Sequence, residues 1–213
     1  MKTDELITVL STNVEPIDRR QLSREIVAAV ILGTVVAIGT ALALPGMRMD
    51  LGAPNALTYF CAKIIFATVI VIAGTAYLLR LARPGVVSPT RSVPLPWPPV
   101  AVAAIATVSL VSAPLWHWHN MAMGHGWLEC LVSIPIIAVV PFAAVVWAVR
   151  RMAPTDLART GALAGFVAGG ISAAGYALHC TDDSIPFIAL WYGGAIVMCT
   201  LAGALLGPRL LRW

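Results

Sequence analysis

With 59% of its 213 residues hydrophobic and only 11% charged, the chain is far more apolar than water-soluble domains, whose usage is roughly 45–50% apolar and about 25% charged. Its length holds about six membrane spans of roughly 20 residues with short connections and leaves no room for a sizeable soluble domain. The net charge of +4 comes from cations flanking apolar runs, which fits membrane topology better than a nucleic-acid footprint, so no direct nucleic-acid contact is expected.

Residues 1–25 form the only polar segment of any length, expected to be a cytoplasmic N-terminal segment ahead of a six-helix transmembrane domain over 26–213. The start, Met-Lys-Thr-Asp-Glu-Leu, is acidic-leaning and lacks an apolar core followed by a small-residue cleavage site, so it is expected to remain in the mature protein. Thr3 followed by Asp4 and Glu5 reads as a helix start, with a hydroxyl to cap free N–H groups and carboxylates at the positive end of the dipole. Leu6, Ile7, Leu10 and Val14 then recur at helical spacing and make a narrow apolar stripe. Pro16 marks a break, after which a second helical piece leads into the first span.

Apolar runs predict spans at about 26–44, 57–79, 97–116, 130–149, 160–178 and 186–206. The fold class is therefore an all-α integral membrane protein with six transmembrane helices. Lys2, Arg19, Arg20 and Arg24, then Arg80, Arg83 and Arg91, then Arg150, Arg151 and Arg159, and finally Arg209 and Arg212 all fall on one side, twelve of the fourteen cations. By the positive-inside rule both termini are expected in the cytoplasm. The opposite connections carry only Arg48, and Lys63, inside the second span, is expected to snorkel to its outer end. Glycines and alanines crowd the fifth and sixth spans and predict close helix packing.

Sorting the ligand-type residues by side concentrates them outside. His117, His119, His125, Glu129 and Cys130 surround the third-to-fourth connection, and His179, Cys180, Asp182 and Asp183 occupy the fifth-to-sixth. Two chemistries suit such a cluster. Cys130 and Cys180 at one surface are a candidate disulfide or redox switch if that surface faces an oxidising compartment. Thiolate, imidazole and carboxylate together also suit a transition-metal ion such as zinc or copper, and against both stands the ordinary use of His, Trp and Tyr as interfacial residues. Cys61 and Cys199 read as small buried apolar residues. No Ser/His/Asp arrangement, phosphate-cradling glycine loop or charged path through the spans is visible, so no enzyme activity is expected.

The Lys-Thr-Asp-Glu-Leu-Ile start, the six expected spans and the late motif His179, Cys180, Asp183, Pro186, Phe187, Trp191 and Tyr192, with Cys130 heading span four, together resemble the NrsF-type anti-sigma factors. The resemblance covers the whole chain. It implies a bacterial inner-membrane protein that sequesters an extracytoplasmic-function sigma factor, with the lipid bilayer as its other partner. It further implies sensing of metal or redox stress near Cys130 and Cys180, and sigma-factor binding through the N-terminal segment, where Asp4, Glu5, Leu6, Ile7, Leu10 and Val14 are the candidate contacts. A metal-ion transporter and a membrane thiol oxidoreductase are the alternatives.

Overall fold

The structure, a computed structural model, describes residues 3, 19–43, 46–50, 52, 54–81, 97–152 and 154–212. Among these, every regular element is a helix: α1 (Arg19–Ala43), α2 (Ala56–Leu81), α3 (Trp97–Val111), α4 (Leu115–Met123), α5 (Trp127–Arg150), α6 (Leu157–Tyr176) and α7 (Ile185–Leu210). Helices are what an apolar chain must form in lipid, because they satisfy every backbone N–H and C=O within the segment. Five stretches are long and apolar enough to cross a membrane: Ser23–Ala43, Ala56–Leu81, Leu115–Arg150, Leu157–Tyr176 and Ile185–Leu210. Within the expected third span, α3 has 15 described residues, about 22 Å at 1.5 Å per residue against a hydrocarbon core near 30 Å, and is not among the five. It ends at the turn through Ser112 and Ala113, where Pro114 lacks the N–H needed to continue the ladder, and the chain restarts as α4. The α4 helix buries none of its residues and leaves Leu115 and Trp116 about three-quarters exposed.

The bundle is built around α6, which packs against α1, α2, α5 and α7. This central place follows from its side chains. Gly161, Gly165, Gly169 and Gly170 alternate with Ala and Val along it, so neighbouring backbones approach closely, as small residues allow in membranes. A Cβ at Gly165 would collide with the Cys199 carbonyl, and one at Gly203 with the Gly161 carbonyl, so α6 and α7 meet backbone to backbone. In the same manner α1 receives α5 at Gly33, where an added Cβ would lie 3.1 Å from Cα of Pro141. The glycines of α6 with Gly203 and Gly207 of α7 match the close packing read from the sequence, whereas a Cβ at Gly193 or Gly194 would meet no neighbour within 4 Å.

The two ends of the bundle differ in chemistry. At one end Arg151 pairs with Glu25 at 3.4 Å and sits 4.0 Å over the Trp147 ring, while Arg150 donates to the Arg212 carbonyl. Asp156 caps α6 by accepting from the Arg159 N–H at 3.0 Å. The other end gathers the α1–α2 connection, the α4–α5 turn and the chain between α6 and α7.

Candidate functional site

The connection between α6 and α7 runs through His179, Cys180, Thr181, Asp182, Asp183 and Ser184, and its polar groups are bonded to four different elements. The first contacts are to the α1–α2 connection. Arg48 N–H donates to the Leu178 carbonyl at 3.0 Å, and His179 Nδ1 lies 3.2 Å from the Gly46 carbonyl. Because a carbonyl only accepts, the latter contact places the imidazole proton on Nδ1.

Arg48 and Lys63 then hold the loop from beneath. The Arg48 side chain is fully buried and uses all five of its N–H donors: two on Asp50 (2.7 and 2.9 Å), two on Asp183 (2.7 and 3.1 Å) and one on the Cys180 carbonyl (3.0 Å). Lys63 Nζ, equally buried, donates to the same Cys180 carbonyl at 2.9 Å and to Asp183 at 3.1 Å. Two cations therefore face two carboxylates, and the charge closes within the network, which burial demands. The bidentate bonds from Asp183, followed by those from Asp50, push the Arg48 pKa further above its ordinary value. Arg48 in turn holds the Asp50 carboxyl below the usual carboxylate range. Contrary to the snorkelling expected from the sequence, Lys63 turns inward to the Asp183 carboxylate and is 0% exposed.

Asp182 faces the other way, accepting from the backbone N–H groups of His125 (3.0 Å) and Gly126 (2.7 Å) at the start of α5. Its carboxylate thus lies at the positive end of that helix. Gly124 turns the chain there with φ +56°, and a Cβ on it would sit 2.8 Å from both Asp182 and Phe187. Ser184 caps α7 by accepting from the Phe187 N–H at 3.2 Å while donating to the Met121 carbonyl at 2.6 Å. Pro186 follows in the first turn, where its missing donor costs nothing. Trp191 Nε1 donates to the Ala122 carbonyl at 2.7 Å and stacks on Trp127 at 5.0 Å between centroids. Residues Ile188–Tyr192 form a π-helical turn, a feature that recurs at functional sites.

Cys130, at the head of α5, and Cys180 belong to one buried cluster with Tyr176, Phe187 and Tyr192. Both are free thiols in this structure. A polar cavity of about 230 Å³ opens beside Cys180 and is lined also by His125, Glu129, His179 and Asp182. The structure thus brings together most of the residues the sequence singled out. It does not bring in His117 and His119, which stand exposed on α4 two residues apart and so point to different sides of that helix. Asp183 is committed to Arg48 and Lys63. Among the described residues no three His, Cys, Asp or Glu side chains are grouped to hold a metal ion.

Other expectations turn out differently or fall elsewhere. Cys61, expected to be buried, is exposed on α2, whereas Cys199 is buried as expected, its carbonyl against Gly165. The N-terminal candidates Asp4, Glu5, Leu6, Ile7, Leu10 and Val14 lie outside the described residues. Arg48 and Tyr176 join the site without having been expected there, and Tyr192 was expected only as part of the late motif. The signal for Arg48 was available, since a lone cation among the outer connections needs a partner, and Asp183 was the acidic residue facing it.

A family model described as "Negative regulator of sigma F" matches residues 10–213. The probable anti-sigma-F factor NrsF of Azospira oryzae is 33% identical over the full length of both chains, and the anti-sigma-F factor NrsF of Caulobacter vibrioides is 32% identical, again over the whole of each. No solved structure matches. With the match running from the N-terminal segment through the thiol-bearing loop to the last helix, the chain belongs to the NrsF family of negative regulators of sigma F.

Proposed function

We propose that this protein is a bacterial inner-membrane anti-sigma factor, with both termini in the cytoplasm, that holds a sigma factor of the extracytoplasmic-function class through its N-terminal segment and releases it when the thiols of Cys130 and Cys180 are oxidised from the periplasmic side. Membership of the NrsF family supports the regulatory half of this reading. The positive-inside pattern supports the orientation, with twelve of the fourteen cations on the sigma-binding side.

The observation that carries the sensory half is the position of Cys180. Its carbonyl is gripped by Lys63 of α2 and Arg48 of the α1–α2 connection, its loop bonds the α4–α5 turn through Asp182, and its thiol shares a buried cluster with Cys130. A change of covalent state at that sulfur alters the packing of α2, α5 and α7 together. A stimulus acts only through unequal free energies of two arrangements, and a node bonded to several helices supplies that inequality. Transport is less well supported, because buried polar residues outside the network are limited, among the described residues, to Thr160 and Ser172 in α6, and the mid-bundle cavity between α5, α6 and α7 is lined by apolar side chains.

Cys130→Ser, Cys180→Ser and the double variant are expected to repress sigma-dependent transcription normally in unstressed cells and to lose most of the response to a thiol oxidant such as diamide. A sigma-dependent reporter read alongside membrane levels of each variant checks this. A double variant that responds like the parent would remove the thiols from the mechanism.

A further inference from the structure

Tyr192 is fully buried, yet its hydroxyl has no hydrogen-bond partner. Buried donors are nearly always satisfied, and one left bare carries a desolvation cost that the phenylalanine ring of the same shape would avoid. The ring is fixed in place by Tyr176, 6.1 Å away between centroids, and by Phe187 at 6.5 Å. It closes the π-helical turn of α7, and its hydroxyl lies beside the Cys180 sulfur, with Cys130 nearby, in a geometry that completes no hydrogen bond. A bare donor in one buried cluster with two thiols that offer only weak acceptors has a use if one of the sulfurs acquires a better acceptor.

We propose that Tyr192 is a positioning residue of the thiol site, whose hydroxyl donates a hydrogen bond to the oxygen that Cys180 gains on oxidation to a sulfenic acid. This rests on the reading that Cys180 is oxidised. The oxidant is a hydroperoxide, the smallest of which fits the cavity that Cys180 lines. The Cys180 sulfur, as thiolate, attacks one peroxide oxygen; the S–O bond forms as the O–O bond breaks, and the leaving hydroxide takes up the proton released by the thiol and departs as water. Sulfur is oxidised by two electrons and the peroxide reduced by two. Cys130, fully buried and absent from the cavity wall, is the resolving thiol. Its sulfur attacks Cys180, the S–S bond forms, and the hydroxyl of the sulfenic acid leaves with the Cys130 proton as water. Tyr192 satisfies its donor only in the oxygenated state, so it favours that state over the reduced one and ties it to the turn from which α7 descends along α6.

The test uses the full chain in phosphatidylcholine/phosphatidylglycerol vesicles with Cys130→Ser, which prevents resolution. After a hydrogen peroxide pulse ended by catalase, dimedone is added at intervals and the Cys180 adduct is quantified by mass spectrometry, with and without Tyr192→Phe. The trappable sulfenic acid is expected to decay several-fold faster with Phe at 192. Thermal unfolding separates this from a purely structural role: the reduced Tyr192→Phe protein should be at least as stable as its parent, because only a bare hydroxyl is lost, while the stabilisation of the parent by peroxide should disappear. Equal decay in the two proteins, or equal loss of stability in both redox states, would overturn the role of Tyr192 while leaving Cys180 oxidation standing. Absence of any Cys180 adduct in the parent would overturn the oxidation reading and this inference together.

Discussion

Replacing Asp183 by Asn is expected to destabilise the protein by about 3–5 kcal/mol, the usual cost of removing one partner from a buried charge network. Arg48 and Lys63 are both completely buried and both bonded to the Asp183 carboxylate. Without its charge, two buried cations are left with the single carboxylate of Asp50, which is itself partly exposed, and the Cys180 carbonyl loses the arrangement that positions it. Thermal unfolding of the purified protein in detergent should show a clear fall in Tm, and sigma-dependent transcription should rise in the absence of stress. Charge balance can then be restored from the other side. In the double variant Asp183→Asn/Lys63→Met, Arg48 is left with Asp50, so part of the lost stability should return even though a second bond is deleted. A single Asp183→Asn variant that unfolds with the parent, or a double variant that behaves as the sum of the two single ones, would show that the network is not the support of the loop.

Introducing Leu6→Asp together with Leu10→Asp is expected to abolish sigma-factor binding while leaving membrane insertion intact. By its spacing, the stripe of Leu6, Ile7, Leu10 and Val14 is expected to make a single narrow apolar face on a helix too short to be stable by itself, which is the usual form of a helix that folds into a partner's groove. Asp4 and Glu5 at its head suit a basic nucleic-acid-binding surface such as a sigma factor must carry. Buried anchor residues in such interfaces are worth about 2 kcal/mol or more each, so the pair should weaken binding by roughly a thousand-fold. Co-purification of the sigma factor with the membrane protein, against membrane-fraction levels of each variant, reads this directly. Retained co-purification would move the contact to the cytoplasmic connections.

Much of this organisation was legible from residue order. Apolar runs carry the all-helical architecture and five of the expected spans, because the bilayer imposes length on every span. The late loop from His179 to Phe187 stood out because polar residues between two apolar runs must lie at a surface, and Ser184 with Pro186 does begin α7 as the Pro-Phe pair suggested. Other features depend on which helices meet. Lys63 read as a snorkelling side chain because its own helix offers an exit; only the approach of Asp183 from the α6–α7 connection gives it a reason to turn inward. Asp182 and Asp183 are adjacent and chemically alike, yet one caps the start of α5 and the other neutralises two buried cations, a division no spacing rule conveys. The break at Pro114 was visible as a proline in an apolar run, but where the restarted α4 sits depends on the first turns of α7, to which it offers the Met121 and Ala122 carbonyls. Tyr192 looked interfacial beside Trp191, whereas the π-helical turn swings it into the core.

The most direct measurement is the affinity of the sigma factor for the full-length protein in vesicles, determined by surface plasmon resonance first under reducing conditions and again after oxidation with diamide, in the parent and in Cys130→Ser/Cys180→Ser. The expected result is tight binding by the reduced parent, a loss of at least ten-fold on oxidation, equivalent to about 1.4 kcal/mol of coupling between the two ends of the bundle, and tight, oxidant-insensitive binding by the double variant. Equal affinity of the oxidised and reduced parent would contradict a thiol site that controls the sigma factor across the membrane.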